Sequence, residues 1–290
     1  MAGSIFNFCA QEMKYIAVKE SSLLEVACEM APESSKNTVR SWIEQGRITL
    51  DGRVVKKSQT PVRKGEEVKL EKRTAFLEEG LKVLYEDPEI VVIDKPEGLL
   101  SVATDFQKQL TAHSILKRRF YSQRVFPVHR LDRETSGVLV FAYTEQARDG
   151  LKHLFEIHDI EREYFAIVKG KPPRAKGTWT NYLIEDKNYV VKTAPSSKGK
   201  LAVTHYELCG FNSSFSRLRL RLETGKKNQI RVQCQEEGCP IVGDKKYGGD
   251  ITPVNRLCLH AHLLSFIHPT KNKKISFTSS LPEVFYRLVP

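Results

Sequence analysis

The sequence holds no apolar run near the ~18 residues that a membrane-spanning helix needs. Its opening residues, MAGSIFNFCAQEMKY, have no basic n-region and too short an apolar stretch for a secretory signal, so a cytoplasmic location is expected. Cysteine is sparse: Cys9, Cys28, Cys209, Cys234, Cys239 and Cys258 are the only ones. Only Cys234 and Cys239 are near neighbours, and without a histidine ligand pair they make a poor zinc template, so no metal is expected. In a cytosolic chain they read as reduced thiols, mostly small packing residues. No glycine-rich nucleotide loop is present, and no cofactor is expected. No serine or cysteine elbow or second carboxylate motif supports a hydrolase built on His129 and Asp132. Acidic residues are outnumbered, 35 against 46 Lys and Arg, which gives a net charge of +11 and pI ≈ 9.3. Such an excess favours a polyanionic partner, and its spread along the chain points to a folded basic surface rather than a charged tail.

What is present fits a globular chain of one large and one small domain. Residues 14–72 read as the small module. Leu23, Leu24, Ala27, Cys28 and Ala31 recur at helical spacing, and Pro32 closes that helix. Ser34 or Ser35 can cap a second helix carrying Val39, Trp42 and Ile43, with Gly46 as its stop. Asp51-Gly52 between two β-branched runs is a hairpin signal, and Lys64-Gly65 marks a further turn. Residues 73–80 are polar and serve as a linker. Residues 81–290 form the large domain, with strands expected at 81–85 and 90–94, a basic-ended helix within 108–120, and a helix capped by Thr144. Residues 171–200, rich in Lys, Gly, Pro and Ser, suggest loops and a weak hairpin. In SFSRLRLRLETG, Leu218, Leu220 and Leu222 face one way and Arg217, Arg219 and Arg221 the other, a core face backed by a basic stripe.

The centre of the large domain is FPVHRLDRETSGVLVFA, residues 126–142. Val138–Ala142 is a buried-strand run, and Gly137 ends the loop before it, where a missing Cβ eases the turn. That loop packs His129, Arg130, Asp132, Arg133 and Glu134 together. Taken alone, Asp132 between two arginines reads as a surface ion pair of little energetic weight. Delivered against a buried strand, the same carboxylate is well placed to be held still for chemistry.

The block His-Arg-Leu-Asp-x-x-Thr-Ser-Gly followed by an apolar strand resembles the signature of the RluA-type pseudouridine synthases. IDKPEGLLS, the Tyr164–Val168 pattern, TGKKNQIRVQ, PIVGDKKYGG and LHAHLLSFIHP extend the resemblance over about residues 81–270. The small module, with RSWIEQGRITLDGRVVKK at its centre, resembles the αL RNA-binding module of ribosome- and tRNA-associated proteins. The fold implied is α+β: a mixed, mainly antiparallel bent sheet with flanking helices, plus a small N-terminal α/β RNA-binding module. The resemblance makes Asp132 the essential carboxylate, Arg231 the basic residue that pairs with it, and Tyr164 the ring that stacks on the uracil and takes part in proton removal. Arg130 fills the place of the flipped base, with His129 beside it at the substrate. Arg40, Arg47, Arg53, Lys56 and Lys57 are the matching RNA-facing cations of the small module. Lys95 reads equally as a loop- or RNA-holding residue and as a surface lysine. Asn228 and Gln233 stand where the family usually has histidines, which puts local hydrogen bonds in question.

The implied activity is isomerisation of uridine to pseudouridine. It breaks the N1–C1′ bond and rejoins the base through carbon 5, with no redox change. The expected substrate is large-subunit ribosomal RNA or its precursor particle, and the expected state is a monomer. The alternatives are a catalytically silent RNA-binding or assembly protein and a synthase acting on transfer RNA.

Overall fold

The computed structural model describes residues 13–44, 47–55, 57–70, 78–103, 110–120, 123–249 and 254–290. The chain divides into two compact units, Met1–Ala75 and Phe76–Pro290.

The first unit contains β1 (Met13–Ile16), β2 (Ser21–Ser22), α1 (Leu23–Met30), α2 (Lys36–Glu44), β3 (Ile48–Leu50), β4 (Arg53–Val54), β5 (Pro61–Val62) and β6 (Glu67–Leu70). One sheet runs β1-β6-β3-β4, and β2 pairs with β5. Helix α1 starts in a capping box, with Ser22 and Glu25 satisfying each other's backbone N–H. The Ser35 hydroxyl accepts from the Thr38 N–H at 3.1 Å at the start of α2. Asp51 (φ 46°) and Gly52 (φ 77°) make the expected hairpin turn. Leu23, Leu24 and Ala27 of α1 pack with Val39, Trp42 and Ile43 of α2 onto Ile48, Val68 and Leu70. Of the five cations expected to face RNA, Arg40 and Lys57 are exposed. Arg47 is not: it is 7% exposed, and its guanidinium lies 5.5 Å from the centre of the Trp42 ring. The chain turns from α2 into β3 at Arg47, so this side chain packs back on the helix. The side chain of Arg53, together with Lys56, Gly46 and Cys9, lies outside the described residues.

The second unit contains β7 (Lys82–Glu86), β8 (Ile90–Lys95), α3 (Ala112–Arg119), β9 (Phe126–Pro127), β10 (Ser136–Ala142), α4 (Glu145–Glu156), β11 (Glu161–Lys169), β12 (Lys176–Glu185), β13 (Val191–Thr193), β14 (Lys200–Phe211), β15 (Phe215–Leu222), α5 (Gln229–Glu236), β16 (Leu259–Ile267), β17 (Lys274–Thr278) and α6 (Glu283–Leu288). The sheet runs β13-β12-β14-β15-β11-β16-β10-β8-β7, with β17 on β16 and β9 on β10. Its pairs are antiparallel except β10 with β16. Strand β10 is buried along its whole length because both faces are covered. Val138 and Val140 join a cluster under α4 with Ala147 and Leu151, while Leu139 and Phe141 join one with Ile115 and Leu116 of α3.

Two local expectations change. Residues 171–200 hold the expected hairpin, β12 with β13, but its first strand is ten residues long rather than weak. Only Trp179 and Leu183 of it are buried, so the half-solvated remainder carries the polar composition of a loop. Gly137 does not end the loop but lies inside β10 at φ 116°, opposite Ala261 of β16; a Cβ there would meet the Ala261 carbonyl oxygen at 2.1 Å. The alternation of β15 is as expected, with Leu218 and Leu220 buried and the arginines on the other face, where Arg219 pairs with Glu207, Arg221 with Glu163, and Arg217 donates to the Val289 carbonyl after α6.

Candidate active site

The site forms where β16 lies between β10 and β11. Ala261 is opposite Gly137 on one side and Tyr164 on the other. The register slips between Glu163 and Tyr164, and such bulges re-aim a side chain at the edge of a site. The loop into β10 brings Asp132 to the same place, and the N-cap and first turn of α5 bring Asn228 and Arg231. Together these residues line a cleft of ≈ 400 Å³, within the roughly 300–1,000 Å³ of small-ligand pockets.

Asp132 is 27% exposed at its side chain. Its Oδ2 accepts from Asn228 Nδ2 at 2.7 Å and lies 3.6 Å from Arg231 Nη1. Among the described residues its Oδ1 has no hydrogen-bond partner. The expected Asp132–Arg231 pair is therefore present, but it is not the arginine's tightest contact. Arg231 donates from Nε and Nη2 to the two oxygens of Asp244, both at 2.7 Å, and Nη2 also reaches Glu134 at 3.3 Å. Asp244 is fully buried and further accepts from the backbone N–H groups of Lys246 and Tyr247. Burial works against the Arg231 cation, but the hydrogen bonds and charge of Asp244, with Asp132 and Glu134 behind it, raise its proton affinity and fix it as a cation.

Asn228 is 9% exposed and holds φ 53°, ψ 19° as the N-cap of α5, a left-handed conformation that asparagine tolerates better than most residues. Gln233, fully buried, accepts from Thr204 Oγ1 at 2.6 Å and donates to Asn181 Oδ1 at 3.0 Å and to the Trp179 and Ala202 carbonyls. Both residues at the histidine positions thus have definite partners: one orients the carboxylate, the other ties α5 to β12 and β14.

Tyr164 is half-buried on the cleft wall. Burial pushes its phenol up to about 12, with Arg162 opposing and Asp132 adding to the rise. It is a neutral ring and hydroxyl at pH 7, not a phenolate. Lys95 is buried rather than superficial. Its Nζ donates to the carbonyls of Pro96 (2.8 Å), Leu99 (2.8 Å) and Arg133 (3.2 Å), tying the Pro96–Gly98 turn to the loop that carries Asp132. Burial pulls Lys95 down to about 7, against the attraction of Asp132.

Comparison with known proteins agrees with this geometry. The RNA pseudouridylate synthase family model matches residues 89–236, and the S4 domain model matches residues 23–68. Ribosomal large subunit pseudouridine synthase D of Xanthomonas campestris pv. campestris is 34% identical over 91% of this chain and 86% of its own length. The protein of that name from Yersinia pestis is 30% identical over 97% and 95%. Among solved structures, human RNA pseudouridylate synthase domain containing 4 is 25% identical and covers 70% of this chain and 90% of its own, with a TM-score of 0.59. The chain belongs to the RNA pseudouridylate synthase family. It is an isomerase of uridines in RNA, with an S4 domain at its N-terminal side.

In this synthase Arg130 is exposed at the cleft, with no hydrogen-bond or ion-pair partner among the described residues. His129 is not brought to the carboxylate. Its Nε2 accepts the Val140 N–H at 3.2 Å, and its ring stacks on Phe155 with centroids 4.4 Å apart. Burial, helped by Arg162, lowers it to about 3, so it stays neutral and pins the loop to β10. The site residues not singled out in the sequence are Glu134 and Asp244, and the orienting role of Asn228. Asp244 sits in PIVGDKKYGG, where an aspartate between glycine and lysines reads as turn chemistry. Its partner lies thirteen residues back across a helix.

Proposed function

We propose that this protein converts specific uridines of large-subunit ribosomal RNA to pseudouridine, with Asp132 as the essential carboxylate. The observation that supports this best is the partly exposed Asp132 in the cleft wall with Tyr164, held by Asn228 and Arg231 on one oxygen and without a hydrogen-bond partner, among the described residues, on the other. The substrate class rests on the names of the bacterial relatives, which are large-subunit enzymes.

The target base must leave its stack, at a cost of a few kcal/mol. Arg130, unpaired and exposed, takes its place in the RNA. The base then lies against Tyr164, which packs a neutral ring on its face. Asp132 acts at the sugar or base as nucleophile or charge stabiliser. The N1–C1′ bond breaks, the uracil turns, the C5–C1′ bond forms, the C5 proton leaves and N1 gains one. Arg231 balances the carboxylate throughout. Working as a monomer in the cytoplasm, the enzyme needs only folded RNA.

Carbodiimide mapping of pseudouridine tests the proposal. Unmodified large-subunit RNA, transfer RNA and precursor particles are incubated with wild-type protein or with Asp132→Asn. New stops on large-subunit RNA or its particles with wild type alone are expected. Stops on transfer RNA alone would overturn the substrate class, and equal stops with Asp132→Asn would overturn the role of Asp132.

A further inference from the structure

The β12–β13 hairpin ends in a feature that the reaction above does not use. Tyr189 at its tip is 62% exposed, although a tyrosine ring is costly to leave in water. It is also held still. Asp186 Oδ1 accepts the N–H groups of Asn188 (2.9 Å) and Val190 (3.0 Å), Tyr189 itself sits at φ 59°, and its carbonyl accepts from Lys246 Nζ at 2.9 Å. Lys227 Nζ lies 5.5 Å from the centre of the ring. Lys227 pairs with Glu185, and both line the cleft that holds Asp132, so the exposed ring stands at the rim of that cleft. The hairpin is also tied to the catalytic arginine. The Val191 N–H donates to the Tyr247 hydroxyl at 3.3 Å, and the Tyr247 ring lies 5.2 Å from the Arg231 guanidinium.

A rigid exposed ring flanked by ammonium groups, beside a cleft that receives a flipped base, has the make-up of a stacking platform for single-stranded nucleic acid. We propose that Tyr189 is a second nucleobase site. A nucleotide adjacent to the target uridine stacks on it, and Lys246 and Lys227 meet the phosphates on either side. This rests on the reading of the chain as an RNA-modifying enzyme. It adds a contact that reads the neighbour of the target and is sequence-tolerant, because every base offers a π-face.

The test uses the full chain and a fluorescein-labelled ribosomal RNA fragment carrying the uridine found by carbodiimide mapping. Tyr189→Ala is expected to raise Kd roughly 5- to 150-fold, the range for loss of one stacked base, without changing the slope of log Kd on log salt. Tyr189→Trp should restore wild-type binding. Lys246→Ala should lower the slope by about 1, as for loss of one phosphate contact. 2-Aminopurine beside the target should be quenched by wild type and not by Tyr189→Ala. Unchanged affinity in Tyr189→Ala, or failure of tryptophan to restore it, overturns the second site while wild type still binds and modifies the RNA. If wild type neither binds nor modifies any RNA, the functional reading falls and takes this site with it.

Discussion

Replacing Asn228 by aspartate changes charge and almost nothing else. The two side chains have the same shape, and aspartate also tolerates the left-handed backbone at this position. The variant puts a second carboxylate at hydrogen-bond distance from Asp132, where the amide now donates at 2.7 Å. Two unit charges 4 Å apart repel by about 4 kcal/mol at an effective dielectric of 20, which equals about 3 pH units at ~1.4 kcal/mol each. Arg231 offsets part of this, but it already serves Asp244 and Glu134. The new pair therefore binds one proton between its members and titrates as a unit well above the ordinary carboxylate range. The assay is release of tritium from carbon 5 of labelled uridine under single-turnover conditions, across pH. The acid limb of the Asn228→Asp profile should move up by roughly 2–3 pH units. Asn228→Gly, which deletes the hydrogen bond to a charged acceptor without backbone strain, should lower the rate about 10- to 150-fold at every pH, the equivalent of about 1.5–3 kcal/mol. A wild-type pH profile in Asn228→Asp, or a wild-type rate in Asn228→Gly, would refute the claim that Asn228 orients the carboxylate.

Asp244→Asn breaks a buried ion pair and should lose about 3–5 kcal/mol of stability in urea unfolding; a loss under about 1 kcal/mol would show that Arg231 finds another partner. Gly137→Ala drives a Cβ into the Ala261 carbonyl at 2.1 Å from a backbone at φ 116°. It should cost about 4 kcal/mol or more, read as collapse of the thermal melt, and an ordinary melt would contradict the register of β10 on β16. Stability should also fall with acid before the carboxylates titrate. Burial lowers His129 to about 3 and His260 to about 4, whereas unfolded imidazoles titrate near about 6.5. Between those limits the unfolded chain binds more protons, so stability drops as pH falls, by up to ~1.4 kcal/mol per pH unit for each histidine. Lys95 adds nothing there: its lowered value, about 7, makes its contribution vary only above that pH. Urea midpoints that stay flat from neutral pH to 5 would refute the burial of both rings.

Much of this fold could be read from local pattern because its chemistry is local. Caps such as Ser35 and Thr144, the Asp51-Gly52 turn and the β10 apolar run each act within a few residues of themselves. The length of strand β12 was hidden because most of its side chains stay half-solvated, so it lacks clean alternation. Arg47 was misread for a related reason: a sequence shows a charge but not the tryptophan it lies on. His129 stood next to the loop that carries Asp132 in sequence, yet its ring turns to the Val140 N–H and Phe155. Asp132 and Arg231 were legible only as members of a known block. Asn228 looked like a loss at its position, because the atom it serves is 96 residues away.

The division of labour around Arg231 shows how Asp132 is oriented with Asn228 at that position. An arginine bound side-on to Asp132 would occupy both carboxylate oxygens, the geometry that makes such pairs strong. A carboxylate so clamped has nothing to offer a substrate. Here the fully buried Asp244 takes the side-on position, with both contacts at 2.7 Å. Asp132 lies at 3.6 Å from the remaining nitrogen, near enough for the charge to act and too far to be locked. Orientation then has to come from elsewhere, and a neutral donor suffices, because the balancing charge is already present. Asn228 supplies that donor to Oδ2 and leaves Oδ1 without a hydrogen-bond partner among the described residues. An amide does this at any pH. A histidine at the same position would bring its own titration to the carboxylate, so Asn228→His should add a pH-dependent step near about 6.5 to the rate profile. A profile identical to that of wild type would mean that the ring does not reach Asp132.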